Sequence, residues 1–150
     1  MDELNVEVHL ADGLDLPVDE AALAAAARAV LRQQGVRAAE LSIALVGDDE
    51  ITRLNQEYLG HEGPTDVISF ELPSPGETRV GDVYIGAGQA RRQAAELGVP
   101  FAEELLRLAI HGTLHVLGHE HPEGDRDGSP MYRLQEELLR QILEGSTPHA

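Results

Sequence analysis

The period of the apolar positions changes several times along the chain, and each change predicts an element. In NVEVHL, Val6, Val8 and Leu10 alternate with polar residues, the pattern of a half-buried strand. PVDEAALAAAARAVLRQQG is built from helix formers and closed by Gly35, so it predicts a helix with a glycine stop. LSIALV predicts a second strand, alternating or wholly buried. DEITRLNQEYLG reads as a short helix capped by Asp48 or Asp49 and stopped at Gly60. DVISFEL and RVGDVYIG, separated by the turn-forming PSPGET, predict an antiparallel hairpin with a longer loop. GQARRQAAELG predicts a helix ending at Gly98, and VPFAEELLRLAIHGTLHVLG a longer one with a proline at or near its first turn. A last helix opens at Ser129 with Pro130 in its first turn and ends at Gly145. No internal repeat or linker interrupts this order. The reading is a single α+β domain over residues 1–150, a small mixed four-stranded sheet packed with about five helices.

Composition narrows the chemistry. With 42% hydrophobic and 25% charged residues, the 150-residue chain is globular in type and long enough for one sizeable core. It has no cysteine, so any metal has to be held by His, Asp or Glu. The N-terminus is acidic and alternating, unlike a secretory signal, and no apolar run approaches the roughly 20 residues that span a bilayer. The expectation is a soluble cytoplasmic protein without membrane contact. The formal charge is −16, and all 11 basic residues are arginine. That field opposes non-specific attraction to nucleic acid, so DNA is not an expected partner, and any RNA role has to overcome the average charge locally.

One stretch stands apart: HGTLHVLGHEH, residues 111–121, holds four of the seven histidines. His111 and His115 lie about one helical turn apart, so their imidazoles project from the same face and can converge on one ion. Gly118 can end the helix with a positive φ and return the chain toward that face, which places His121 as a third ligand. His-x3-His-x2-Gly-x2-His is the spacing of metzincin-type zinc sites, and it makes the long helix zincin-like. Three nitrogens leave one tetrahedral position open, as catalytic zinc requires. His119 falls outside the spacing and reads as a solvated or supporting side chain. In zinc peptidases the residue after the first histidine is a glutamate that serves as general base; here it is Gly112, which argues against peptide hydrolysis.

HGTLHVLGHEH resembles the HGxLHLxGYDH signature of the YbeY family, bacterial endoribonucleases that mature small-subunit ribosomal RNA and act in ribosome quality control. LNQEYLGHEGPTDVISF is similar to that family's second block and GDVYIGAGQARRQAAELG to its third, so the resemblance spans residues 54–121. It implies one Zn2+ per chain held by His111, His115 and His121, in an α+β fold with a cleft beside the metal. It also implies that Asn55, Thr65, Asp66 and Ser69 line that cleft, with Asp82, Arg91 and Arg92 as further candidates. The family's usual arginine after the tyrosine of the second block is Leu59 here, Glu120 stands for Asp and His119 for Tyr. His61, Arg53, Arg79 or Arg91 could supply the missing cation.

The function expected from this resemblance is a zinc-dependent, single-strand-specific endoribonuclease of 16S ribosomal RNA 3′-end maturation. Its catalytic water would be bound by the zinc, with no protein general base identified. Its partners would be precursor RNA and the ribosome or a ribosome-associated protein. A ribosome-assembly factor with a metal site and little intrinsic cleavage is the rival expectation, and a metallopeptidase the weaker one.

Overall fold

Helix and strand boundaries follow the local signals closely. The computed structural model describes residues 2–14, 16–74, 76–120 and 129–145. Strand β1 (Glu3–Leu10) leads into α1 (Glu20–Gln33), β2 (Ala38–Val46) and α2 (Asp48–Leu54), which continues as a π-helical turn over Asn55–Leu59. The hairpin β3 (Val67–Leu72) and β4 (Arg79–Gly86) follows, then α3 (Ala87–Leu97), α4 (Phe101–Val116) and α5 (Pro130–Leu143). The Asp19 side chain caps α1 by accepting from the Ala22 N–H, and Ser129 caps α5 by accepting from Tyr132, with Pro130 in the first turn where no N–H is needed.

The sheet order is β1-β2-β4-β3, with β1, β2 and β4 parallel and β3 antiparallel to β4 along the edge. Mixed pairing comes from inserting the second hairpin strand beside β2, which keeps the apolar β4 inside the sheet. Leu41, Ile43 and Leu45 of β2 and Val83 and Ile85 of β4 form one core face, covered by Leu23, Ala27 and Leu31 of α1 and Leu105, Leu108 and Ala109 of α4. A second cluster joins α1, α4 and α5 through Val30, Ile110, Leu114, Met131 and Leu138. Helix α4 thus runs through the centre of the molecule, with the sheet on one side and α1, α3 and α5 around it.

Two glycines set how closely α4 lies on the sheet. A Cβ at Gly112 would sit 2.4 Å from Val83 Cγ1, and one at Gly81 would sit 2.5 Å from Val116 Cγ1. Gly112 and Val116 are one helical turn apart, about 6 Å, and Gly81 and Val83 two strand residues apart, also about 6–7 Å. Each element therefore presents a notch to the other's valine, and the two contacts fix both the depth and the rotation of α4.

One difference from the sequence reading concerns α2. Gly47, rather than Asp48 or Asp49, stands at its N-cap, and no side chain caps it. Asp48 instead lies in the first turn and pairs with Arg92 of α3 at 3.1 Å. The helix also widens into its π turn, where Asn55 turns inward and donates to the Gly63 carbonyl at 3.0 Å.

Candidate metal centre and cleft

The rotation of α4 decides where its histidines point. With Gly112 and Val116 against β4, His111 and His115 project from a flank of the helix rather than into the sheet. Their rings meet edge to face with centroids 4.6 Å apart. His111 is only 3% exposed, and its Nδ1 lies 2.5 Å from Gln135 Oε1 of α5. An amide oxygen can only accept, so Nδ1 carries a proton, and in the neutral ring the lone pair is then on Nε2. Two imidazoles on one face, one held in the tautomer that leaves Nε2 as donor, are a donor set that fits a divalent metal.

The third expected ligand, His121, lies outside the described residues. Among the described residues no group of three His, Asp or Glu side chains is placed to hold a metal ion. What the structure does describe is the turn that leads toward His121. Gly118 has φ +96°, its N–H donates to the His115 carbonyl and the His119 N–H to the Leu114 carbonyl, both at 3.0 Å. This is the Schellman arrangement, which satisfies the last carbonyls of α4 and reverses the chain. Among the described residues nothing lies within 4 Å of the Gly118 Cβ position, so of these only the backbone conformation opposes a side chain there. Gly118→Val is expected to cost about 1 kcal/mol or more of stability. Should the histidines hold zinc as the resemblance implies, the substitution should also weaken that binding in a chelator competition while replacing none of them; unchanged affinity would refute this role for the turn.

His119 follows a different course. Its Nε2 lies 2.6 Å from Gln34 Oε1, at the C-terminal end of α1. Gln34 in turn donates to Gln33, which fixes that amide's orientation. His119 Nε2 is therefore a donor to α1.

The second sequence block meets α4 through β3, while its other described contacts hold the loop that leads into that strand. The Ser69 hydroxyl donates to the Gly112 carbonyl at 3.1 Å, joining β3 to α4 beside His111. Asp66 is buried; its Oδ1 accepts from the Val67 N–H at 2.8 Å and from the Thr65 hydroxyl at 3.4 Å, shaping the entry to β3. Asn55 pins the loop at Gly63, and His61 lies exposed in that loop. Leu59, at the end of the π turn, is 48% exposed next to Tyr58, which stacks edge to face on Phe70.

The cations weighed against the missing arginine fall in different places. Arg53 is held by Glu50 at 2.5 Å and Glu57 at 2.9 Å, and these two carboxylates raise its pKa. Arg91 lies over the Phe101 ring, 5.2 Å from its centroid, at the first residue of α4. That is about 15 Å along the helix axis from His111, so the structure does not bring Arg91 to the histidine pair. Arg92 is engaged with Asp48. Arg79 pairs with Glu71 and also reaches the Val116 carbonyl at 3.4 Å, one residue beyond His115. Asp82, also on β4, falls on the sheet face away from Val83 and hence away from α4.

Sequence reasoning passed over Gln135. The signal was nevertheless present: Gln135 is four residues after Met131 and three before Leu138, a polar residue at a core-facing position of an otherwise apolar stripe.

Comparison with known proteins settles the relationship. The family profile described as Endoribonuclease YbeY matches residues 12–143, nearly the whole chain. The chain belongs to the YbeY family. The Endoribonuclease YbeY of Mycolicibacterium gilvum is 36% identical over 150 residues, covering 92% of this chain and 83% of the relative. That of Persephonella marina is 38% identical over 117 residues, covering 75% and 76%. The Bacillus subtilis YbeY is 40% identical over 112 residues, covering 67% and 71%. Among solved structures, the solution structure of a Thermotoga maritima protein superposes with a TM-score of 0.62 over 93% of this chain and 90% of that one. At 23% identity it establishes the α+β fold alone. YbeY membership accounts for the three sequence blocks together, including the hairpin that carries the second block onto α4.

Proposed function

We propose that this chain is a zinc-dependent endoribonuclease specific for single-stranded RNA, acting in 16S ribosomal RNA 3′-end maturation and ribosome quality control in the cytoplasm. YbeY membership supports the reaction class, since the relatives carry that activity in their names. The observation that carries the metal half of the reading is the His111–His115 pair, with His111 held as the Nδ1–H tautomer by Gln135. His111, His115 and His121 would hold one zinc. When bound, such an ion polarises a phosphoryl oxygen and acidifies water at near-neutral pH.

The chain's own residues have narrower tasks. Ser69 and the Gly112 notch keep the histidine flank of α4 at a fixed height over β3 and β4, and Asn55 with Asp66 shapes the loop carrying His61 and Thr65. Gly112 faces Val83, so this position offers neither a carboxylate nor room for one, which disfavours peptide hydrolysis. Either water or the RNA 2′-hydroxyl can serve as nucleophile, and the product distinguishes them: a 2′,3′-cyclic phosphate marks the second. The test is cleavage of matched single- and double-stranded RNA by the purified chain, with and without chelator, alongside casein. Chelator-sensitive cutting of the single strand alone supports the reading; chelator-sensitive proteolysis without RNA cleavage overturns it.

Electrostatics favour delivery by a partner. The net charge is −16, and Arg53, Arg79, Arg92, Arg107 and Arg140 are all paired with carboxylates. Free-RNA affinity is therefore expected to be weak and steeply salt-dependent, which suits an enzyme brought to its substrate by the ribosome or a ribosome-associated protein. Leu59→Arg places a cation on an exposed position at the end of the π-helical turn. It should raise RNA binding and cleavage and steepen the salt dependence by about 0.7 in log–log slope, the increment for one single-strand phosphate contact. A salt series on wild type and variant decides; identical slopes would mean that position 59 does not face RNA.

A further inference from the structure

Between α4 and α5 the packing is apolar: Ile110 and Leu114 meet Met131, Leu138 and Leu139. Gln135 interrupts that surface while only 1% exposed. A primary amide without partners at such a site costs about 1–3 kcal/mol, and leucine or methionine would fill the same volume without that penalty. The amide is retained with both ends engaged. Its Oε1 faces His111 Nδ1 at 2.5 Å and its Nε2 donates to Glu136 Oε2 at 3.0 Å.

The second contact gives the first its direction. An amide can turn over and present its NH2 group instead of its oxygen, but a carboxylate beside Nε2 accepts only hydrogen, so the turned orientation would set oxygen against oxygen. Glu136 is itself fixed by Arg107, through Nε at 2.9 Å and Nη2 at 3.2 Å. Arg107 is anchored on its other side by Glu104, at 2.5 Å and 1% exposed, and Glu104 accepts from Gln93 of α3 at 2.9 Å. A line of ion pairs and hydrogen bonds thus runs from α3 through α4 to α5 and terminates at one imidazole nitrogen.

We infer that Gln135 is a positioning residue: backed by Glu136 and Arg107, it locks the His111 ring with its proton on Nδ1 and its lone pair on Nε2, the nitrogen that would hold the metal. This rests on the proposed reading of His111 as a ligand. An imidazole without such a partner favours the opposite tautomer in water, and has to exchange its proton and reorient before it binds. Partners of this kind typically change metal affinity 10- to 100-fold, or about that range, when removed.

The experiment compares wild type, Gln135→Leu and Gln135→Glu, the last made together with Glu136→Gln so that the new carboxylate at 135 meets an amide donor rather than a second carboxylate. Leucine fills the space and removes the acceptor; glutamate keeps an acceptor for Nδ1–H. Urea unfolding reports the fold of each. Two-bond 1H–15N spectra of the metal-free proteins, at a pH where imidazole is neutral, read the His111 tautomer, and chelator competition reads zinc affinity. Wild type should show the Nδ1–H form. Gln135→Leu should remain folded, shift His111 toward Nε2–H and lose about 10- to 100-fold in zinc affinity, while Gln135→Glu should retain both the tautomer and the affinity. An Nε2–H ring in wild type overturns the assignment, as does unchanged tautomer and affinity in Gln135→Leu. If Gln135→Glu falls with the leucine variant, residue 135 acts through helix packing alone and the assignment is again overturned. A wild-type chain that binds no zinc overturns the metal reading instead, and the tautomer spectrum still decides what Gln135 does.

Discussion

Gly112→Ala is expected to destabilise the protein by about 1–3 kcal/mol, the usual range for forcing an extra methyl into a filled core. The added Cβ would lie 2.4 Å from Val83 Cγ1 and 3.2 Å from the Ser69 hydroxyl, and Val83 is fully buried on a central strand with nowhere to retreat. Helix α4 has to lift or rotate. For a domain of this size the loss corresponds to a fall of about 2–4 °C in Tm per kcal/mol. Since the same contact sets the rotation of α4, zinc affinity should fall with it, and Gly112→Glu should unfold the chain rather than create a peptidase. Thermal unfolding and chelator competition on Gly112→Ala check the argument; a variant as stable as wild type would show that α4 does not depend on this notch.

Loss of either described histidine of the pair should have the larger effect on function. On the proposed zinc-dependent reading, His111→Ala and His115→Ala are expected to abolish zinc binding and lower single-strand RNA cleavage by about two orders of magnitude or more, the scale of losing a principal electrostatic stabiliser of the transition state. His121→Ala should match them. His119→Ala should leave zinc content nearly unchanged, since its Nε2 is turned to Gln34 on α1, and should cost only the modest stability of one hydrogen bond, about 0.5–1.5 kcal/mol. Metal analysis of the four variants separates these outcomes. Equal zinc loss from all four would break the ligand assignment.

Much of this architecture was legible from local chemistry. Gly35, Gly60, Gly98 and Gly118 were readable as helix stops because only glycine enters the left-handed region without strain, and all four have φ between +69° and +96°. The Ser129–Pro130 helix start and the hairpin of β3 and β4 were equally local. The same holds for His111 and His115, since a four-residue spacing on any helix puts two side chains on one face. Where local signals competed, the reading slipped: two aspartates suggested a side-chain cap for α2, yet Asp48 went to Arg92, a partner 44 residues away.

Sequence alone therefore determined the element order, the glycine stops, the histidine pair and the family, because each depends on residues close together in the chain or on their order within it. Only the tertiary structure decided which way α4 is rotated, that Gly112 forms the notch that receives Val83 as well as lacking a base, and that Arg79 rather than Arg91 comes near the His115 end of the helix. It also decided that His119 turns to α1 and that Gln135 reaches His111. Those outcomes depend on depth of packing and on hydrogen bonds between elements, and a periodicity can indicate which face of a helix is buried but not which atoms of another element it will meet there.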